Sequence, residues 1–278
     1  MRAVPALLLV LSCLLVLPPS PGRAASAVSG AAEPEASLEF LVMLPGRADR
    51  NQLASGTEGL ARWLGKRLGL PVRGRVCADP DEAKAALAQD HPAFALVDLG
   101  FYVDQARAQG LRPVASARPG GFDADLWRLL VPADAASGRL AGDVEGTVLF
   151  SPRAAACLVL PGVHGDIVRL VGVTHPAEAV RRAAAGEISG VVLDRIQFDA
   201  ARAMPGFDKL AVKHATGNLP TPPVVWLGDG GELADRVAKA LQAMGSDPAA
   251  RQVLRQLELG GFGPPDPGLG ALARGCLE

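Results

Sequence analysis

The stretch Gly146-Thr-Val-Leu-Phe-Ser-Pro-Arg-Ala-Ala-Ala-Cys-Leu-Val-Leu-Pro161 carries the first chemistry the sequence offers. Thr147 to Phe150 reads as a short strand, Ser151-Pro152 breaks it, and an Ala/Leu run follows that favours helix. A strand feeding a helix start leaves several backbone N–H groups aimed at one point, and with the helix dipole they form a site for an anion. Catalysis finds less support. Ser151 is not in a Gly-x-Ser-x-Gly elbow, Cys157 sits in an apolar helix with no His near it in sequence, and His164 and His175 are too far apart for a paired-His metal helix. No glycine-rich phosphate loop follows any strand, so the sequence points to binding, not to an enzyme, and to no cofactor.

The elements that would position such a site alternate. Leu38–Leu44 is a nearly continuous apolar run, as in a strand covered on both faces, and Leu60, Trp63, Leu64 and Leu68 then recur at helical spacing up to Gly69. Val72–Ala78 is a second strand, and Asp79-Pro80-Asp81-Glu82 has the form of a helix start. Phe94–Val97 and Leu111–Ala117 are strands around a helix over Phe101–Gln109; Leu126–Val131 is read as a crossing into a second lobe. That lobe continues through Thr147–Phe150, Ile167–Val173, a helix over Pro176–Ala185 and the strand Gly190–Leu193, and Pro220–Leu227 reads as the return. Leu233, Val237, Leu241 and Met244 share a helix face, and a last helix begins at Asp247-Pro248. Strands alternating with helices predict an α/β chain on parallel sheets.

Several of these segments, taken in order, resemble those of the phosphate/phosphonate-type periplasmic substrate-binding proteins of ABC transporters. Ala95-Leu-Val-Asp-Leu-Gly-Phe-Tyr102 is similar to that family's "Asp-(apolar)-Gly-Pro-x-Tyr" turn, Val173-Thr-His-Pro-Ala-Glu-Ala179 to "Gly-Ser-His-Glu-Ala", and Gly186–Asp194 to "Gly-x-Val-Asp-Ala-Ala-x-x-Asp". Leu219–Val225 resembles "Ile-Pro-Asn-Asp-Pro-Ile-Val", Ser246–Pro264 the closing "Asp-Pro-x-x-Arg…Gly-Phe-x-Pro", and Leu38–Pro45 the first strand and ligand loop. Pro152, Leu160 and Pro161 fit the helix-start element, but its Ser-Thr-Ser is Ala154-Ala155-Ala156 here. The resemblance implies a bilobal type 2 periplasmic-binding-protein fold, two α/β lobes joined by two crossing strands. It divides the chain into lobe 1 (38–127 plus 226–278) and lobe 2 (128–225), with an interlobe cleft for a small ligand.

On that resemblance the cleft would be lined by Pro45, Tyr102, Ser151, Ala154, Ala155, Ala156, Thr174, His175 and Asp194, with Arg47 and Arg153 able to grip an oxyanion in place of the missing hydroxyls. Five of them have a second reading: Tyr102 as a packing residue, His175 as a structural histidine, Asp194 as a helix cap, and the two arginines as solvated charges. The acid of the family's Pro-Asn-Asp-Pro turn is Pro222. Losing two or three hydrogen bonds to a charged ligand, about 1.5–3 kcal/mol each, weakens binding on the order of a thousandfold. The ligand, anionic on this reading, is therefore expected not to be simple phosphate or phosphonate. The implied partner is an ABC permease or, if the fold serves another purpose, a periplasmic sensor domain; a monomer is expected.

The whole chain bounds these readings. Met1-Arg2, the apolar run Ala6–Leu17 and Ala25-Ser-Ala27 form a secretory leader (1–27), followed by a small, polar, flexible segment over 28–37. Removing Arg2 and Arg23 takes the formal charge from −1 to −3, and with one Tyr and no basic run nothing suggests nucleic acid. The remaining cysteines, Cys77, Cys157 and Cys276, fit no metal spacing, allow at most one disulfide, and read as buried or terminal free thiols. Intact-mass measurement of the exported protein is expected to give a chain beginning near Val28; a chain beginning at a lipid-modified Cys13 would contradict that reading.

Overall fold

Two sheets divide the chain between them in the computed structural model, which describes residues 37–47, 49–159 and 167–276. The secretory leader, most of the segment after it, and Leu160-Pro161 lie outside the described residues. The first sheet is built from β1 (Leu38–Met43), β2 (Val72–Val76), β3 (Phe94–Val97), β4 (Arg112–Pro119), β10 (Pro223–Trp226) and β11 (Leu259–Gly263), in the order β11-β4-β10-β3-β1-β2. The second holds β5 (Arg128–Pro132), β6 (Ala141–Gly146), β7 (Ile167–Gly172), β8 (Gly190–Leu193) and β9 (Leu210–Ala215), in the order β7-β6-β8-β5-β9. β1 pairs in parallel with β2 and β3, as does β6 with β7 and β8, because a helix lies between successive strands of each trio. The expectation of wholly parallel sheets fails at β10, which runs antiparallel between β3 and β4, at β11, which is antiparallel to β4, and at β5, which is antiparallel to both β8 and β9. β5 and β10 are the strands that enter directly from the crossings, without a covering helix to reverse the chain.

The helices carry their punctuation in the sequence. α1 (Arg50–Leu68) starts on Asp49, whose carboxylate accepts from the N–H groups of Asn51 and Gln52, and ends at Gly69 in the left-handed conformation, φ 68°. α2 (Pro80–Gln89) starts on Asp79 with Pro80 in its first turn. α3 (Leu99–Gln105) starts on Asp98 and α6 (Arg195–Ala201) on Asp194. α4 (Pro152–Leu158), α5 (Pro176–Ala184), α7 (Glu232–Ala243), α8 (Arg251–Gln256) and α9 (Gly268–Gly275) complete the set.

Burial follows the apolar pattern. One face of the first sheet packs Phe40, Leu60, Trp63, Phe94, Val237 and Leu241 among α1, α7 and α8. The outer face of the second packs Leu130, Val180, Val191 and Leu193 with α5. The remaining cluster is continuous across both sheets, joining Leu41, Met43 and Val97 of the first to Leu129, Val144 and Val192 of the second through α3, α4 and α9. The described residues accordingly fall within one compact unit.

Three expectations need correction. Thr147–Phe150 is a 3-10 turn, not a strand: the parallel pairing of β6 with β7 ends at Gly146 opposite Gly172, and the chain must leave the sheet there to begin α4. The apolar runs 126–131 and 224–227 are mostly strands inside the sheets; the chain passes between the sheets at 120–127 and 216–222, where Asp125 and Leu219 exchange both backbone hydrogen bonds. Cys157 and Cys276 are not free thiols but a disulfide, brought together by packing of α4 and α9 against α3 that spacing does not reveal. Cys77 is the buried free thiol, pushed up to about 12 by burial and then by Glu82.

The disulfide closes a loop of 119 residues and ties the segment after β6 to the helix after β11, one from each sheet. In the chain-entropy account such a loop is worth about 4–5 kcal/mol. The C157S/C276S double variant is expected to lose about 2–5 kcal/mol in urea unfolding, with the fully reduced native protein matching it; unchanged midpoints would show the bond to be energetically idle.

Candidate functional site

Between the two sheets the loop after β1 approaches the second sheet closely. Gly46, at φ 68°, is positioned so that an added Cβ would lie 2.2 Å from Thr147 Cγ2 and 3.2 Å from Pro176 Cδ. Only glycine satisfies both the left-handed backbone and that contact. The next residue, Arg47, passes across the gap, and its Nη2 donates to Asp194 Oδ2 at 3.0 Å, with the two side chains 6% and 5% exposed.

Asp194 is held from its own side. Its Oδ1 accepts from Gln197 N at 2.8 Å, Gln197 Oε1 accepts from Asp194 N, and Gln197 Nε2 donates to Thr147 Oγ1 at 2.7 Å. The capping box thus fixes the carboxylate that Arg47 meets. Behind the pair, Asp125 on the outward crossing accepts from Leu126 N, Arg195 N and, at 3.3 Å, Trp127 Nε1. Asp98 Oδ1 accepts from Phe101 N at 2.8 Å, while its Oδ2 is shielded and unpartnered; Arg47 Nη1 is also buried and unpartnered.

These groups enclose a cavity of about 20 Å³ lined by Pro45, Arg47, Asp98, Asp125, Trp127, Thr147, Asp194 and Pro222 among others. It has room for roughly one water. Three carboxylates face it against one guanidinium. Burial raises the Asp194 pKa, opposed by Arg47 and assisted by Asp125; burial likewise pushes Asp98 up to about 6, opposed chiefly by the Phe101 and Gly100 N–H groups. Among the described residues no group of His, Cys, Asp or Glu is placed to hold a metal ion.

On either side of the Gly46–Arg47 contact the gap opens. One groove, about 830 Å³, is lined by Pro45, Arg47, Arg50, Cys77, Thr174, His175 and Arg181, with Thr174 and His175 exposed and no side-chain cap on α5. The other, about 660 Å³, runs between α5–α6 and the segment 255–260.

The residues singled out in the sequence therefore divide. Pro45, Arg47 and Asp194 line the small cavity together, and Thr174 and His175 line the wider groove beside it. Tyr102 is buried on the far side of α3, bordering a separate cavity with Arg107, Leu111 and Arg274. Ser151 is buried in close approach to Gly100, Ala154 and Ala155 are wholly buried in the shared core, and Arg153 and Ala156 are exposed. The N–H of Ala154, at the start of α4, donates to Asp104 Oδ1 at 3.2 Å, so the protein's own carboxylate takes the place expected for an anion. Asp98, Asp125, Trp127 and Thr147 were missed as site residues: Asp98 sits within the Asp-Leu-Gly motif and Thr147 within the Gly146–Pro161 stretch, but Asp125 and Trp127 carry no sequence signal.

The sequence profile of a family described as "ABC transporter, phosphonate, periplasmic substrate-binding protein" matches residues 42–268. No curated protein matches the chain by sequence. Among solved structures, XAC2383 from Xanthomonas citri bound to chloride ion superposes with a TM-score of 0.71 at 16% identity, over 87% of this chain and 97% of its own. PhnD1 from Prochlorococcus marinus (MIT 9301), in complex with methylphosphonate, gives 0.66 at 12% identity, over 86% and 97%. A binding protein component of an ABC phosphonate transporter from Pseudomonas aeruginosa gives 0.64 at 12%, over 84% and 83%. The fold expected from the sequence is the fold of the chain.

The raised Asp98 pKa fixes a pH dependence. A carboxyl that titrates near pH 6 in the fold and near 3.8 unfolded costs stability above pH 6, and the cost is relieved as pH falls from about 6 to about 4. Asp98→Asn keeps an Oδ acceptor for Phe101 and removes the charge. It is expected to be more stable than the native chain at pH 7 by about 1–3 kcal/mol, the difference vanishing by about pH 4 in urea titrations; a constant difference at all pH values would refute the assignment.

Proposed function

The chain belongs to the periplasmic substrate-binding proteins of phosphonate ABC transporters, and from that premise we propose that it is an exported receptor. It holds a small ligand between its two sheets for an ABC permease, and that ligand is neither phosphate nor a simple phosphonate. The observation that carries the reading is the Arg47–Asp194 pair spanning the gap with both side chains buried. The pair leaves room for about one water, far less than a tetrahedral oxyanion with its several heavy atoms requires. Three carboxylates around that space repel an anion, and one guanidinium already committed to Asp194 does not outweigh them. The starts of α3, α4 and α6 are supplied with Asp98, Asp104 and Asp194, so their N–H groups are not free for a ligand. The secretory leader and the disulfide agree with an oxidising compartment outside the cytoplasm. No helix among the described residues is long and apolar enough to cross a membrane.

A second reading, that the fold serves a periplasmic sensor or accessory role without transport, is favoured by the disulfide and the core shared across the sheets, which restrain separation of the two halves. Small-angle scattering distinguishes the two. A receptor is expected to show a second, more open state when Arg47 is replaced by Ala with the disulfide intact, whereas an accessory protein is expected to keep one radius of gyration.

Calorimetry tests the ligand exclusion. Phosphate and methylphosphonate are expected to show no binding below millimolar concentration to the native protein or to the A154S/A155T/A156S variant. Submicromolar binding by the native chain would overturn the reading, and a gain confined to the variant would place the start of α4 in the ligand site after all.

A further inference from the structure

The cavity of about 570 Å³ between α3 and α9 lies apart from the interlobe gap, and its charge is of one sign. Tyr102, Leu111 and Ala273 are buried side chains of its wall, while Arg107 and Arg274 line it from exposed positions. No carboxylate lines it among the described residues, and neither arginine has a hydrogen-bond or ion-pair partner among them. Asp104, the acid nearest Arg107 in sequence, is committed elsewhere: it accepts from Ala154 N at 3.2 Å and meets the charge of Arg153. The Tyr102 hydroxyl likewise bonds to no group among the described residues. Burial raises the Tyr102 pKa and the Arg274 charge opposes that rise, so guanidinium and phenol act on the same space. The Cys157–Cys276 bond holds α9 just beyond Arg274, which keeps this wall in place.

We propose that this cavity binds a small organic dianion, two carboxylates on a short carbon skeleton. Arg107 and Arg274 each take one carboxylate, the pairing in which a guanidinium fork matches two oxygens, and the Tyr102 hydroxyl donates to one of them. A monocarboxylate answers only one of the two guanidiniums. A single tetrahedral oxyanion occupies little of a volume that lies within the range of small-molecule sites, and a neutral or cationic solute gains nothing from two unpaired cations. The inference goes beyond the interlobe reading and does not depend on it, since α3 and α9 both belong to the half of the chain built on the first sheet.

Isothermal calorimetry with succinate and glutarate, beside propanoate and phosphate, tests it on the full mature chain. At low salt a dicarboxylate is expected to bind about tenfold more tightly than propanoate, because the second charge-assisted contact keeps only part of its strength at a solvated position. Raising sodium chloride from about 20 to about 200 mM is expected to weaken that binding severalfold. Arg107→Ala and Arg274→Ala remove exposed, unpaired side chains. Each is expected to bring succinate affinity down to that of propanoate, with the melting temperature of the free protein unchanged. Tyr102→Phe keeps the buried ring and is expected to weaken succinate about threefold. Equal affinity for succinate and propanoate would overturn the proposal. So would a succinate affinity that both arginine variants retain, which would place the dicarboxylate elsewhere on the protein. Phosphate binding tighter than succinate, and lost in Arg274→Ala, would assign the cavity to a tetrahedral oxyanion and overturn the dicarboxylate class, while leaving the acid-lined interlobe cavity closed to phosphate.

Discussion

The interlobe architecture depends on one buried charge. Arg47 leaves the first sheet at the end of a glycine-enabled turn and can be buried only because Asp194 waits on the other side. Moving two ions out of water costs several kcal/mol each, and their attraction repays this only when the remaining lone pairs and protons are also satisfied. Asp194 meets that condition through Gln197 and the start of α6; Arg47 meets it only in part, since Nη1 is left over. The pair therefore contributes little net stability but much specificity. Removing either partner strands the other and costs about 3–5 kcal/mol, so the two halves have one favourable register.

The same logic runs through the helix starts. An anion receptor keeps backbone N–H groups free at the interlobe helix termini so that the ligand supplies the negative charge. Here α3, α4 and α6 each have a resident carboxylate, and Asp104 reaches α4 from a neighbouring helix. Each of these helix starts thus meets a negative charge from within the fold. Ala154 and Ala155 are packing residues in the core common to both sheets. Burial raises the Asp104 pKa, and the Ala154 N–H with the Arg153 charge opposes that shift.

The fold was legible because it is written in local signals. The apolar run 38–44, the Asp79-Pro80 helix start, the Gly69 cap and the helical spacing of Leu60, Leu64 and Leu68 each required only neighbouring residues to interpret. Strands without such signals were not seen. β6 is Ala-Gly-Asp-Val-Glu-Gly and β11 is Leu-Gly-Gly-Phe-Gly, sequences that become strands only because neighbouring strands accept their hydrogen bonds. The site was less legible for the same reason. Asp194 and Arg47 are 147 positions apart, and nothing in either segment encodes that one will neutralise the other. Asp125 and Trp127 acquire meaning only when the two crossings pair at Asp125 and Leu219.

Opening of the interlobe gap must break some of these contacts and leave others. The crossings are main chain and the Cys157–Cys276 bond is covalent, so both persist through any hinge motion. The core that spans the sheets through α3, α4 and α9 is close-packed and resists gradual separation. What remains able to yield is the ion pair and the contact of Gly46 with Thr147 and Pro176, because exposure returns both charges to water and recovers their hydration. A ligand that must replace Arg47 first loses the pair. Nη1 is shielded from solvent in the closed gap, so an acceptor reaches it only once the pair has yielded.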